Sequence, residues 1–376
     1  MRIQKRSKAS QISSRRCYQQ QMNRIQKLQE KLGSSFEAAL VEETANRWYL
    51  SEFRSSAGIL IITEDEALFI VDFRYIEIAK RLVFGAKVVL QEIDYIGQIK
   101  DFLTTKGIKN IQVEDEMTLS QYNKLSKEIP EVKFVSGTGL SRTIHELRAQ
   151  KEAKEIDAIK KAQDITEKAF EHILTFIKPG LTEREVATEL ECSMLKNGSE
   201  GFAFSSIVVS GQNSSLPHGV PSDKIIEQGD FITMDFGAKK DGYCSDMTRT
   251  IAVGFVTDEM QKVYDTVLNA HLTARAKAKA GITGRSLDSI ARDIIYSAGY
   301  EGCFGHGLGH SLGLEIHEEP RASYVADYEL KDNVIMTIEP GIYLPGKFGV
   351  RIENMVLLMA DGNENLTHCP TELIIL

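Results

Sequence analysis

The most regular hydrophobic pattern of the chain lies between residues 231 and 253 and predicts two β-strands joined by a tight turn. Apolar and polar residues alternate in its first half, which is typical of a half-buried strand. Asp241-Gly242 favours a hairpin turn, since both residues tolerate positive φ. Because paired strands lie about 4.8 Å apart, we expect Asp235 and Asp246 to approach each other. Two interpretations stay open, a hairpin with two solvated acids or a pair of buried acids that a proton or cation neutralises.

In the first half of the chain, short apolar runs alternate with segments of helical period, and this alternation predicts an α/β domain. The predicted strands are Ala38–Val41, Gly58–Thr63, Ala67–Val71, Lys87–Leu90 and Ile111–Val113. The predicted helices are Met22–Lys31, Tyr75–Phe84, Ile93–Thr105 and Leu119–Ile129. The polar residues of this region form no catalytic grouping, so we expect it to give structural support or a subunit contact.

Residues 140–178 are predicted to join this domain to a second one. Leu147–Ile177 has one continuous helical pattern, and Pro179 ends it. Thr182-x-x-Glu185 predicts a capping box that opens a further helix through Met194. The predicted class is α+β, with an extension over residues 1–21, an α/β domain over 22–145 and a larger domain over 146–376.

Composition and charge narrow the class of protein. Of 376 residues, 42% are hydrophobic and 26% charged, and no apolar run approaches the roughly 18 residues that a membrane span needs. A net charge of −8 argues against a nucleic-acid partner, because such proteins usually have a basic face. The five cysteines have no C-x-x-C spacing, so we expect reduced thiols and a cytoplasmic location.

The first 21 residues are basic and contain no acidic residue. No apolar segment follows them, so a secretory signal is not expected. We expect a disordered extension, or a start codon placed too early with Met22 as the true start. A transit-like tail or one that touches nucleic acid is the other interpretation.

Five segments of the second half each supply a metal-type ligand. They are Asp235, Asp246, the group His306, His310 and His317, Glu339, and Glu353, which we place at the centre of a strand-like run ending at Met359. Carboxylates with one imidazole suit Mn²⁺, Co²⁺ or Fe²⁺ and also accept Zn²⁺. Four carboxylates balance the charge of two divalent ions, and two ions about 3.5 Å apart share a hydroxide of lowered pKa. The alternatives are solvated or paired side chains, and a dinucleotide loop at residues 305–309, which lacks G-x-G-x-x-G spacing.

The motifs MDFG…YCSDMTRT, GHGLGHSLGLEIHEEP, TIEPGIY and VRIENMV, in this order, closely resemble the pita-bread metallopeptidases. That superfamily includes aminopeptidase P, prolidase, methionine aminopeptidase and the non-metal creatinase. The resemblance covers about residues 150–376, and residues 22–140 resemble the N-terminal domain of the proline-specific branch. It implies a C-terminal pita-bread catalytic domain preceded by a smaller α/β domain.

The resemblance also implies roles for single residues. Its metal ligands are Asp235 on one ion, Asp246 and Glu353 as bridges, and His310 and Glu339 on the other ion. Glu339 is also expected to accept a proton from the attacking water. The other catalytic and substrate-binding residues it implies are His218 and His317 at the scissile carbonyl, where a donor stabilises negative charge, His306 and Tyr343 as pocket walls, and Arg351 beside Glu353.

The implied activity is that of a dinuclear Xaa-Pro aminopeptidase, in which a metal-bridging hydroxide releases the residue before proline. Mn²⁺ is the expected metal, proline-containing peptides are the expected partners, and a homodimer is expected. Prolidase, which acts on Xaa-Pro dipeptides, is the alternative, and a peptide-binding scaffold without catalysis is a third hypothesis. Asn354 departs from the pattern, because near relatives often have Asp there; we do not expect this to abolish activity.

Overall fold

The computed structural model describes residues 22–33, 36–137 and 139–376, so the predicted extension over residues 1–21 lies outside it. The chain divides into two compact units between Leu147 and Arg148.

The first unit is built on one mixed sheet with strand order β4-β3-β2-β1-β5-β6. Its strands are β1 Ala38–Val41, β2 Ile59–Thr63, β3 Ala67–Val71, β4 Lys87–Leu90, β5 Asn110–Val113 and β6 Lys133–Val135. The pairs β1–β2 and β2–β3 are antiparallel, whereas β1–β5, β3–β4 and β5–β6 are parallel. The residues of β1, β2 and β3 are buried throughout, so their near-continuous apolar sequences fit central strands.

The helices that accompany this sheet are α1 Arg24–Leu32, α2 Thr44–Ser51, α3 Ile76–Leu82, α4 Tyr95–Thr105, α5 Leu119–Glu128 and α6 Leu140–Ala149. The sequence pattern did not predict α2 or β6. The Glu43 side chain caps the first turn of α2 by accepting from the backbone N–H of Asn46.

The second unit contains helices α7 Ala153–Phe176, α8 Glu183–Lys196, α9 Asp258–Lys277 and α10 Gly284–Ser297. The predicted continuous helix Leu147–Ile177 is wrong, because α6 ends at Ala149 and α7 begins at Ala153. In the break, the Lys151 backbone N–H donates to the carbonyl of Asn333, and Glu152 caps the new helix. The capping box of Thr182 and Glu185 is present at the start of α8, as predicted.

Two sheets form the centre of the second unit. One has the order β11-β8-β7 and the other β13-β12-β14-β17-β18. Their strands are β7 Ile207–Ser210, β8 Phe231–Phe236, β11 Met247–Ala252, β12 Gly309–Ser311, β13 Glu318–Ala322, β14 Ile335–Ile338, β17 Asn354–Met359 and β18 Gly362–Asn365. Helices α7 and α8 pack on the first sheet, whereas α9 and α10 pack on β14 and β17.

Two short hairpins complete the second unit, β9 Lys239–Lys240 with β10 Tyr243–Cys244, and β15 Gly341–Leu344 with β16 Phe348–Arg351. The first hairpin turns at Asp241 and Gly242, with φ of 49° and 81°, as the sequence predicts. Glu353 lies in the gap between β16 and β17, so its predicted place at the centre of a strand is wrong. None of the helices that the structure describes is long and apolar enough to cross a membrane.

Candidate metal centre

Two aspartates enter the site from the antiparallel pair β8–β11. Asp235 stands opposite Thr248 in the register of these strands, and Asp246 directly precedes β11. Because side chains alternate along a strand, Asp246 and Thr248 project to the same face. The hydroxyl of Thr248 donates to Oε2 of Glu353 at 2.7 Å, which brings the loop between β16 and β17 to this face.

His310 enters from β12. This strand packs closely on β14, since a Cβ at Gly309 would lie 1.9 Å from the carbonyl oxygen of Thr337. The ring Nδ1 of His310 lies 3.1 Å from the carbonyl oxygen of Ser311. A carbonyl oxygen only accepts, so Nδ1 carries the proton and Nε2 presents its lone pair to the site. That Nε2 lies 3.6 Å from Oδ2 of Asp246 and 3.4 Å from Oε1 of Glu339.

The structure brings three of the five predicted ligands into one group. Ligand atoms of Asp246, His310 and Glu353 lie within 4.8 Å of one another, in the part of the chain that the structure describes. Glu339 adjoins this group through His310. Asp235 lies to the side, and its Oδ2 accepts from Nη2 of Arg351 at 2.6 Å.

The electrostatics of this group are those of an acid cluster that cationic side chains compensate only in part. Burial and the charge of Asp235 raise the pKa of Glu353 to about 8. Burial and the charge of Glu353 also raise the pKa values of Asp246 and Glu339. Burial and the neighbouring His317 lower the pKa of His310 to about 3, so its imidazole is neutral. Acids in this state favour a cation over further negative charge.

Two carboxylate oxygens have the surroundings expected of metal ligands. Oδ1 of Asp235 and Oδ1 of Asp246 are buried and have no hydrogen-bond partner among the described residues. Buried polar atoms of this kind are rare unless an ion or water completes them. The donor set of carboxylate oxygens and a neutral imidazole therefore fits divalent metal ions.

A second chain of contacts connects Arg351 to the pocket wall. Nη1 of Arg351 donates to the Tyr343 hydroxyl at 2.8 Å, and that hydroxyl lies 2.9 Å from Nε2 of His306. Because Nδ1 of His306 faces the carbonyl of Gly307 at 2.8 Å, the tyrosine donates its proton to Nε2. Both ring nitrogens of His306 thus have hydrogen-bond partners, which fits the expected role of this residue in the wall of the pocket.

The role of Arg351 in fixing Glu353 stays a prediction, and its direct hydrogen bonds go to other residues. Besides Asp235 and Tyr343, it donates to the hydroxyl of Thr248 at 3.1 Å. Thr248 in turn donates to Glu353, so Arg351 reaches that carboxylate through the threonine. The guanidinium compensates Asp235 directly.

His317 and His218 lie at the open side of the site, and both are exposed. The ring of His317 packs edge-on against His310, with centroids 4.5 Å apart. The carbonyl of Pro217, next to His218, accepts from Nη1 of Arg351 at 3.3 Å. These exposed imidazoles are accessible to a substrate.

Sequence reasoning missed two threonines that hold the acids. Thr248 binds Glu353, and Thr337 donates to Oε1 of Glu339 at 3.2 Å while it accepts from the His310 backbone N–H at 3.0 Å. The strand pattern contained a signal for Thr248, because it stands two residues after Asp246 on the same face.

Residues 157–360 match metallopeptidase family M24, and residues 24–150 match the creatinase/prolidase N-terminal domain. A solved structure titled as an Xaa-Pro dipeptidase from Bacillus anthracis is 42% identical, with a TM-score of 0.90, covering 94% of this chain and 98% of that one. An X-Pro aminopeptidase structure from Thermotoga maritima is 40% identical, with a TM-score of 0.86 and coverage of 93% and 99%. The Xaa-Pro dipeptidase of Pyrococcus horikoshii is 39% identical over 91% of this chain and 95% of its own length.

The fold and the site define a two-domain metallopeptidase. The chain belongs to metallopeptidase family M24, whose match covers more than half of its length. The resemblance to the pita-bread enzymes, the α+β fold class and the assignment as a peptidase are therefore confirmed. Membership of this family implies divalent metal ions and peptide substrates; the individual ligand roles stay predictions.

Proposed function

We propose that this peptidase hydrolyses the bond between an N-terminal residue and proline, with Xaa-Pro dipeptides as its preferred substrates. The observation that carries the proposal is the group of Asp246, His310 and Glu353, together with the unpartnered carboxylate oxygens beside it. Support for the substrate class comes from the relatives, which are named Xaa-Pro dipeptidases and an X-Pro aminopeptidase.

The residues proposed to hold two divalent ions, with Mn²⁺ as the expected metal, are Asp235, Asp246, His310, Glu339 and Glu353. Bound there, such ions supply Lewis acidity and lower the pKa of water at the site. The chain itself sets the orientation of these ligands, since Thr248 and Thr337 hold Glu353 and Glu339 by hydrogen bonds. The neutral His310 contributes a lone pair and adds no charge.

The proton transfers and the charge stabilisation are assigned to side chains around this group. Glu339 lies 3.4 Å from His310 Nε2, and we assign it the proton of the attacking water. Its raised pKa brings the carboxyl closer to the range in which a group both accepts and returns a proton near neutral pH. His218 and His317 are assigned as donors to the carbonyl oxygen that gains negative charge.

A second candidate activity is that of an aminopeptidase acting on longer Xaa-Pro peptides, which the sequence motifs favoured. The relative from Thermotoga maritima supports it. The two relatives named as Xaa-Pro dipeptidases favour the dipeptide instead, and for that reason we rank dipeptides first. The homodimer, the cytoplasmic location and the identity of the metal stay predictions.

The test is an assay of the full chain with Mn²⁺ and three substrates, Ala-Pro, Arg-Pro-Pro and Ala-Ala. We expect Ala-Pro to be cleaved fastest and Ala-Ala to be spared. Cleavage of Arg-Pro-Pro alone would establish the aminopeptidase instead. If none is cleaved with Mn²⁺, Co²⁺, Zn²⁺ or Fe²⁺, a peptide-binding role without catalysis replaces the proposal.

A further inference from the structure

Glu183 is a buried carboxylate at the first position of α8, outside the metal centre, and its residue is 0% exposed. It accepts hydrogen bonds from two backbone N–H groups that stand twelve positions apart, Ser210 at 2.6 Å and Ser222 at 3.1 Å. A carboxylate is favoured at this place because the N-terminal end of a helix carries partial positive charge. Both of these donors belong to a segment of the chain outside α8.

Three side chains of that segment also donate to Glu183. The hydroxyls of Ser210 and Ser222 lie at 3.0 Å and 2.6 Å, and Nδ2 of Asn213 lies at 3.1 Å from Oε1. Residues 210–222, which we call the His218 loop, therefore have both ends and one inner residue fixed to a single carboxylate. Hydrogen bonds to a charged acceptor are among the stronger ones in proteins.

The opposite side of the His218 loop contacts the strand that carries Arg351. The backbone N–H of Gly349 donates to the hydroxyl of Ser214 at 2.9 Å, and Arg351 donates to the carbonyl of Pro217. Arg351 also binds Asp235 of the proposed metal centre. The loop thus spans from Glu183 to the site.

His218 itself is exposed, so its own side chain is not fixed by packing. Its position therefore depends on the backbone of the loop that carries it. The neighbouring Gly219 fits closely, since a Cβ there would lie 2.6 Å from Val209 Cγ1. A loop held at both ends and packed in this way presents an exposed donor in one place, which transition-state stabilisation requires.

We infer that Glu183 is a positioning residue, which fixes the His218 loop and thereby aims His218 at the scissile carbonyl. The inference rests on the proposed function, because it assigns His218 to the substrate. Glu183 does not touch the substrate and acts only through the loop.

The first test compares Glu183→Gln with Glu185→Gln, a matched control two residues further along the same helix. Glu185 also caps α8, but its oxygen binds Thr182 of its own helix end. In Glu183→Gln an amide NH₂ faces several donors, so the loop loses its anchor. We expect kcat for Ala-Pro to fall about 10- to 100-fold with Mn²⁺ affinity unchanged, and Glu185→Gln to keep the wild-type kcat. An unchanged kcat in Glu183→Gln, or a fall that tracks lost Mn²⁺ binding, overturns the inference.

A double-mutant cycle with His218→Ala identifies the route of the effect. If Glu183 acts through His218, the double variant is no slower than His218→Ala alone, because the two changes remove the same contribution. If the two losses multiply, Glu183 acts by another route and the inference is wrong. Glu183→Asp keeps the charge, and it is expected to recover part of the rate.

Hydrogen exchange gives a readout that is independent of turnover. The amides of Ser210 and Ser222 should exchange slowly in the wild type and faster in Glu183→Gln. If that variant does not fold, Asn213→Ala and Ser222→Ala remove single donors and should each give a smaller rise in exchange. Equal exchange in wild type and variants overturns the anchoring. An inactive wild type with these exchange differences would contradict the proposed function and leave the anchoring of the loop established.

Discussion

Two of the sets of buried acidic side chains in the second unit differ in what neutralises them. At the metal centre, Asp246, Glu339 and Glu353 face mainly one another. Elsewhere in the unit, Glu318 is paired on both oxygens, with Nη2 of Arg148 at 2.5 Å and Nζ of Lys151 at 2.9 Å. Both groups are shielded from water.

The pKa values follow this difference. Burial alone would raise the pKa of Glu318, but the charges of Lys151 and Arg148 outweigh it and lower the value to about 2. For Glu353, burial and the neighbouring acid act in the same direction and raise the pKa to about 8. Glu318, Arg148 and Lys151 form an internally compensated ion cluster that contributes to the fold. The group at the metal centre has raised pKa values instead, which is typical of a functional site.

The largest expected effect is at the metal centre, in Glu353→Gln. The substitution removes a proposed shared ligand, so we expect loss of bound metal and a fall in Ala-Pro turnover of at least about 1,000-fold, since metal ions supply several kcal/mol of transition-state stabilisation. At pH 7 the metal-free variant should melt close to the wild type, because burial and the charge of Asp235 raise the pKa of Glu353 to about 8, so the substitution replaces a mostly protonated carboxyl with a neutral amide. Metal content, turnover and melting temperature are measured together.

The control for this change is Glu364→Gln, whose half-exposed side chain pairs with Lys160 on the surface. It should keep both metal and turnover. A Glu353→Gln protein that retains two metal ions per chain would show that this residue is not a ligand.

A substitution at Glu318, the acid paired with Arg148 and Lys151, should lower the stability of the protein. Glu318→Gln leaves Arg148 and Lys151 buried without the carboxylate that compensates them. Breaking a buried ion pair costs about 3 to 5 kcal/mol, so we expect the free energy of unfolding at pH 7 to fall by that amount. Urea denaturation of the metal-free proteins measures it.

The pH dependence checks the same residue. The folded pKa of Glu318 is about 2 and its ordinary value is 4.5, so the stabilisation is present above pH 4.5 and is lost as pH falls from there toward 2. The stability difference between wild type and Glu318→Gln should therefore shrink over that range. Glu319→Gln, at the exposed neighbouring position, is the control. A difference that stays constant down to pH 2.5 would contradict the pairing.

Local patterns predicted what depends on local sequence. The limits of β1 to β5 follow from apolar runs to within one residue, and the turn at Asp241-Gly242 follows from the two residues that form it. The break between α6 and α7 was missed, because Lys151 binds Glu318, which stands 167 positions away. A hydrophobic period along the sequence does not predict a contact between residues so far apart in the chain.

At the candidate site, too, the local motifs were predicted and the long-range contacts were not. The motifs indicated which acids and histidines belong together, but they did not predict which groups Arg351 hydrogen-bonds. Its hydrogen bond to Asp235 joins residues 116 positions apart and depends on how the hairpin β15–β16 lies against β8. A side chain with five donors has many possible partners, and only the packing of strands selects among them.

The smallest expected effect concerns the neutral partner of the acid group, Thr248. Its hydroxyl donates to Glu353 and accepts from Arg351, so it orients a proposed ligand without compensating its charge. Outer partners of metal ligands are typically worth about 10- to 100-fold in metal affinity, and we expect Thr248→Val to weaken Mn²⁺ binding about 10-fold. Thr248→Ser keeps the hydroxyl and should bind as the wild type does. Calorimetric titration with Mn²⁺ measures both variants. Equal affinity in Thr248→Val and wild type would mean that Glu353 is held by its backbone alone, and that the acid group needs no orientation beyond its cations.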